Sequence, residues 1–185
     1  QNFSEGIEKH RKNWLKDLDS IEQETQVIAA IVETIHLTQA RVGGEGNEND
    51  GVPTYGISTL LAKHVRVTAQ GIEMKYPGKK GTMQHHAIKP NAQSSRKVIA
   101  ILKQCLRNKK PNDRVFTAGG RQIHPRAINS YLKSIGVNVT IHKFRHAAAT
   151  KTAMDMLDKS PFGPRNKPTQ AQAERWLKTE AIKIG

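Results

Sequence analysis

The segment holding Val27, Ile28, Ile31, Val32, Ile35 and Leu37 constrains the fold most. Its apolar residues recur at helical spacing but spread over a stripe too wide for a surface helix, so neighbours must cover it on several sides. Gly43-Gly44 ends it. Ahead of it, residues 4–18 read as a charged helix with Ile7, Trp14, Leu15 and Leu18 on one face. Ser20 suits an N-cap for the central helix, and Glu22 and Glu24 suit its positive end. This helix is therefore expected to lie in the core.

Those elements change character after the glycines. Residues 43–53 are polar, glycine-rich and locally acidic at Glu45, Glu48 and Asp50, the pattern of a mobile loop without calcium-loop spacing. Short strand-like stretches follow at 56–60, 64–68, 72–76 and 83–88, with a turn at Gln70-Gly71 and a hairpin tip at Gly78-Lys79-Lys80-Gly81. Beyond Pro90 the period is helical again, through Val98, Ile99, Ile101, Leu102 and Leu106, then over 124–135 between Pro125 and Gly136, then over 142–157. A Pro/Gly/Asn stretch at 161–168 precedes a last helix from 169 carrying Ala173, Trp176, Leu177 and Ile182. The expectation is an α+β, mainly α fold over residues 1–185. It has N-terminal helices at 4–42, a small three-stranded antiparallel sheet at 55–89 and a helical part at 92–185.

Charge narrows the partners. The 185 residues carry a net charge of +14, and so large a surplus points to a polyanion, with nucleic acid first. No apolar run approaches membrane-spanning length and no helix pairs a basic face with a broad apolar one, so no membrane partner is expected. The single Cys105 excludes an internal disulfide and a multi-cysteine zinc site and fits a reducing compartment. No secretory signal is visible, so a cytoplasmic, nucleoid, viral or nuclear setting is expected rather than secretion. A chain beginning with Gln1 reads as a fragment of something longer.

Three basic side chains stand out: Arg41 at the end of the apolar helix, Lys79 at the hairpin tip, and Arg145 in His142-Lys143-Phe144-Arg145-His146. Two arginines can hold the charge that develops on a phosphate, and a lysine can protonate a leaving oxygen, with no metal or nucleotide required. Taken singly, Arg41 is a cation at a helix C-terminus and Lys79 a solvated turn. Arg145 is harder to dismiss, because Ala147, Ala148 and Ala149 follow it on an otherwise small, apolar helix. Lys63, His64, Arg66, Lys80 and Lys143 are the expected phosphate contacts outside the centre.

The motifs around these residues resemble the type IB DNA topoisomerases. Leu37-Thr38-Gln39-Ala40-Arg41-Val42-Gly43 is similar to that family's first arginine motif. Tyr55-Gly56-Ile57-Ser58-Thr59-Leu60 with Lys63-His64-Val65 is similar to its next signature, and Tyr76-Pro77-Gly78-Lys79-Lys80-Gly81 with His85 to its lysine hairpin. Val139-Thr140-Ile141-His142-Lys143-Phe144-Arg145 is similar to its second arginine motif. The resemblance runs in register from residue 21 to residue 184. It implies a monomer encircling double-stranded DNA, with no cofactor and no metal, that relaxes supercoils without ATP. A tyrosine attacks a phosphodiester, leaving a 3'-phosphotyrosine and a free 5'-hydroxyl, and the reverse step reseals the strand. Arg41 and Arg145 would clamp the phosphorane, Lys79 would act as general acid, and His142 would assist proton transfer, bind a phosphate oxygen or brace Arg145.

Two departures matter. His142 stands where the topoisomerase pattern has a lysine, and His-x-x-Arg is the arrangement of tyrosine recombinases, which share the fold. The 43–54 insertion and the Tyr55–Leu60 signature favour the topoisomerase. The nucleophile is also not apparent, since Tyr55, Tyr76 and Tyr131 all precede Arg145, whereas the family's tyrosine, and a phosphate-contacting histidine or asparagine, follow the second arginine by several dozen residues. The chain as given is therefore expected to bind DNA without cleaving it. A recombinase and a basic DNA-binding module without chemistry are the alternatives. His142 with His146, and His85 with His86, lack a third ligand for zinc. Gly78-Lys79-Lys80-Gly81-Thr82 lacks the leading glycine and the following helix of a phosphate-binding loop.

Overall fold

A computed structural model describes residues 3–44, 48–49, 51–146, 169, 171, 172 and 175, with side chains from residue 9 onward and excepting that of Asn49. Helix α1 (Phe3–Asp17) precedes α2 (Gln23–Thr38), and every residue from Val27 to Ile35 on α2 is buried. Helix α2 touches α1, α3 (Gln93–Cys105) and α4 (Pro125–Ser134), so it is the hub its wide apolar stripe requires. Its N-terminus differs from expectation. Glu22 is the flanking residue, in an extended conformation, and Ser20 Oγ only accepts a bond from the Glu22 N–H at 3.2 Å. Ser20 lies two residues outside the capping position, too far out to reach the first free amides of the helix.

One buried carboxylate fastens α1 to α2. Glu33 is fully buried and accepts from Trp14 Nε1 at 2.8 Å and from Arg11 Nη2 at 2.7 Å. Glu33→Gln keeps an acceptor for the indole but removes the charge that faces Arg11. It is expected to cost about 1–3 kcal/mol, read as a lower urea midpoint with an unchanged slope.

The three-stranded antiparallel sheet has the order β3–β4–β5, with β3 at Val65–Thr68, β4 at Gly71–Pro77 and β5 at Met83–Ile88. Ile72, Met74 and Tyr76 of β4 are buried, while Glu73 and Lys75 alternate to the other face. Strand β5 lies against α2. Residues 56–60, expected as a strand, instead form a buried 3-10 turn at Ile57–Thr59, because their amides bond sideways to the chain leaving α2. The stretch read as a loop contains a short ladder, β1 (Glu48–Asn49) with β2 (Val52–Pro53). A second small hairpin, β6 (Thr117–Ala118) with β7 (Arg121–Gln122), was not anticipated, although Gly119-Gly120 marks its turn.

Residues 141–146 are helical and form α5. Its expected continuation to residue 157, the 161–168 stretch and most of the last expected helix lie outside the described residues. Among the described residues no helix is long and apolar enough to cross a membrane.

Candidate active site

The first arginine is placed by the way α2 ends. Gln39 adopts the left-handed conformation (φ 56°, ψ 20°), and its N–H closes back onto Ile35 O at 2.8 Å. The chain then turns out of the helix, and Arg41 follows with its side chain exposed. Ile57 N–H donates to Arg41 O at 2.9 Å, and Ser58 N–H and Oγ both donate to Val42 O at 2.8 Å. Gly43 (φ 87°) and Gly56 lie back to back at this junction, where a Cβ on Gly56 would fall 2.6 Å from Arg41 O.

The same strip reaches the lysine. Tyr55 N–H donates to Pro77 O at 2.8 Å, two residues before Lys79. The Lys79–Gly81 turn is closed by Gly81 N–H on Gly78 O at 3.0 Å, with Lys80 left-handed at φ 62°. Both lysine side chains are exposed, and β1 packs beside the turn. Arg41 and Lys79 thus share one backbone scaffold despite their separation in sequence.

Arg145 arrives from α5. Phe144 is fully buried, edge-on to Trp14 at 5.5 Å and 6.1 Å from His36, which fixes the helix against α1 and α2. Arg145, half-buried, donates from Nε to Gln39 O at 2.5 Å, a carbonyl at the C-terminal end of α2. It, rather than Arg41, complements that helix end. With Nε engaged, the two terminal nitrogens keep four further donors.

Electrostatics tie the group together. Burial, and then the Arg41 charge, lowers the proton affinity of Arg145, while Tyr76 opposes the shift. His142 is held below the usual histidine range by desolvation first, then by His146, Arg41, Arg145 and Lys79. His142 therefore stands within the field of all three expected catalytic cations, and its ring is biased toward the neutral form. Its Nε2 lies 3.2 Å from His146 Nε2.

His86 was missed by sequence reasoning. It sits on β5 with its ring 6.0 Å from that of Tyr76, and its proton affinity is lowered by burial, His85 and then Arg145. The signal was strand alternation: next to an exposed His85, His86 must face the other way.

Of the expected phosphate contacts, Lys63, Arg66, Lys80 and Lys143 are exposed, and Lys63 Nζ bonds Asn112 Oδ1 at 2.7 Å. His64 is corrected. It is buried, its Nδ1 accepts from Leu61 N–H at 3.1 Å, and Tyr55 packs edge-on at 4.4 Å. Burial first, then Lys63 and Arg114, pushes its pKa down to about 4, so it offers no positive charge to a phosphate at neutral pH. A histidine depressed on folding contributes stability that is complete above its unfolded value near 6.5 and fades as pH falls toward 4. Urea midpoints should decline over that window, and His64→Gln should flatten the decline.

None of the three tyrosines is presented as a nucleophile. Tyr76 is buried, which raises its pKa to about 12. The Tyr131 hydroxyl donates to Asp17 Oδ2 at 2.6 Å and its proton is held more tightly by burial and that carboxylate. Tyr55 packs between His64 and the Arg114 guanidinium, 5.9 Å from its ring. Among the described residues no three His, Cys, Asp or Glu side chains cluster as metal ligands.

A helical core carrying a three-stranded antiparallel sheet, with cations from three separate segments, is consistent with a type IB topoisomerase catalytic domain. The family model described as eukaryotic DNA topoisomerase I, catalytic core, matches residues 1–183, and the chain belongs to that family of DNA isomerases. No curated protein matches it. Family membership decides against the recombinase, and it makes DNA the substrate.

Proposed function

We propose that the protein relaxes supercoiled duplex DNA, without ATP, by transient single-strand cleavage through a 3'-phosphotyrosine. The observation that carries this reading is the shared field of Arg41, Lys79, Arg145 and His142, which come from the end of α2, the β4–β5 turn and α5. In the cleavage step a tyrosine oxygen bonds to phosphorus, the bond to the 5'-oxygen breaks, and Lys79 supplies the proton that oxygen takes. Arg41 and the terminal nitrogens of Arg145 hold the two non-bridging oxygens as charge builds on them. His142, biased to the neutral ring, donates one further hydrogen bond to the same phosphate. Resealing runs these transfers backwards, so bond energy is conserved.

The nucleophile is a tyrosine other than Tyr55, Tyr76 and Tyr131, since burial or packing engages each of these. Lys63, Arg66, Lys80 and Lys143 hold the duplex by its phosphates, so affinity falls steeply with salt. The protein acts as a monomer around the duplex, in a nucleoid or nucleus.

The test is relaxation of a supercoiled plasmid by the complete gene product in EDTA without ATP, followed by mapping of the trapped strand end. Relaxation with protein on the 3'-phosphate is expected. Dependence on ATP, or protein attached at the 5'-end, would overturn the reading. The 185-residue chain alone is expected to retain DNA and leave it uncut.

A further inference from the structure

We infer that His142 and His146 form a two-point chelating site for a divalent transition metal ion of the zinc type, placed so that the bound ion blocks the phosphate site. The inference rests on the catalytic reading above only for its inhibitory consequence; the metal site itself does not depend on it.

The geometry is that of a bite. The two histidines sit four residues apart, one above the other on α5, with both side chains exposed and ring centroids 4.7 Å apart. Their Nε2 atoms are 3.2 Å apart. Two imidazole nitrogens bound at about 2.0–2.1 Å to a tetrahedral zinc ion stand about 3.3–3.4 Å apart. Both rings would bind with little more than a small rotation, each then carrying its hydrogen on Nδ1. Whichever ring donates through Nε2 in the present contact shifts that hydrogen to its own Nδ1, and the ion takes the place of the direct contact between the two nitrogens.

The charges of Arg41, Arg145 and Lys79 act on His142 and repel a bare dication. That repulsion is met by the ion's own remaining positions, which must be filled from outside the pair. Anions fill them best in a positive field: chloride, hydroxide or a phosphate oxygen. The site therefore takes the metal as an anion-bearing complex, at the place where a DNA phosphate is to be held. An ion with two protein ligands binds weakly and reversibly, and its effect on the enzyme is inhibition rather than support of chemistry.

The neighbouring histidine pair provides the comparison. His85 and His86 are adjacent on a strand, so their rings leave opposite faces and have no common bite. His85→Ala should leave zinc binding at α5 intact.

The experiment has two arms. In the first, zinc chloride is titrated calorimetrically into the complete protein near neutral pH, without DNA, phosphate or chelator. The wild type and His85→Ala should each show the site, and His146→Ala should weaken it about tenfold or more, as loss of a supporting group at a metal site does. Equal zinc binding by the wild type and His146→Ala, or none by the wild type, overturns the site. In the second arm plasmid relaxation is followed with rising zinc. The wild type should slow and recover with EDTA, while His146→Ala should need about tenfold more zinc or more to slow equally. Zinc binding at the site without slowed relaxation overturns the inhibitory role. A protein that fails to relax DNA before zinc is added speaks against the catalytic reading, and the calorimetric arm then decides the metal site by itself.

Discussion

Replacing Arg145 by alanine in the complete protein is expected to lower single-turnover strand cleavage about 100-fold or more while DNA affinity changes little. The split follows from where charge appears. Ground-state phosphate contacts are shared among the exposed Lys63, Arg66, Lys80 and Lys143, so losing one cation changes binding modestly. The extra charge on the phosphorane exists only at the centre, where Arg145 is half-buried and its donors are worth more than in water. The substitution also leaves Gln39 O at the end of α2 without its guanidinium, a loss of about 1–2 kcal/mol that a melting curve should show. Arg145→Lys is expected to restore little cleavage. An ammonium group is a point donor that cannot bond Gln39 O and span a phosphate at once. A parallel fall in affinity and rate would make Arg145 a binding residue.

How much of this was legible in the sequence depended on distance along the chain. The burial of α2 was readable because a six-residue apolar stripe leaves no other solution, and the sheet was readable from alternation in β4 and the glycines at its turns. The 3-10 turn at Ile57–Thr59 was not, since its conformation is set by carbonyls of residues 41 and 42 that local pattern does not contain. His64 misled for the same reason. In sequence it stands between Lys63 and Arg66 like a phosphate contact, yet Tyr55 and the Leu61 amide enclose it. Arg145 was identified by its motif, but its bond to Gln39 O joins residues far apart and could only be seen once α5 met the end of α2. His86 was lost in a histidine pair read for metal chemistry, when strand geometry already separated the two rings.

The backbone junction beneath Arg41 yields the second large effect. Gly56→Ala is expected to lower cleavage about 100-fold, as removal of one transition-state donor does, although no catalytic side chain is touched. The added Cβ would lie 2.6 Å from both Arg41 O and Gly43 Cα and closer still to Gly43 N. All three are backbone atoms, so no rotamer change relieves the contact, and the two strips must move apart. Their separation breaks the Ile57 N–H bond to Arg41 O and releases the segment that aims the first arginine. The stability cost should be about 1–3 kcal/mol, the range for overpacking a filled interior. Gly51→Ala separates this effect from backbone strain alone. Gly51 has φ 74° but nothing within 4 Å of a new Cβ, so alanine there costs about 1–2 kcal/mol and should leave the cleavage rate of the folded protein unchanged. The measurement is single-turnover cleavage normalised to folded protein, with DNA binding alongside. Should Gly56→Ala melt earlier yet cleave at the wild-type rate per folded molecule, Arg41 would owe its placement to something other than the Gly43–Gly56 contact.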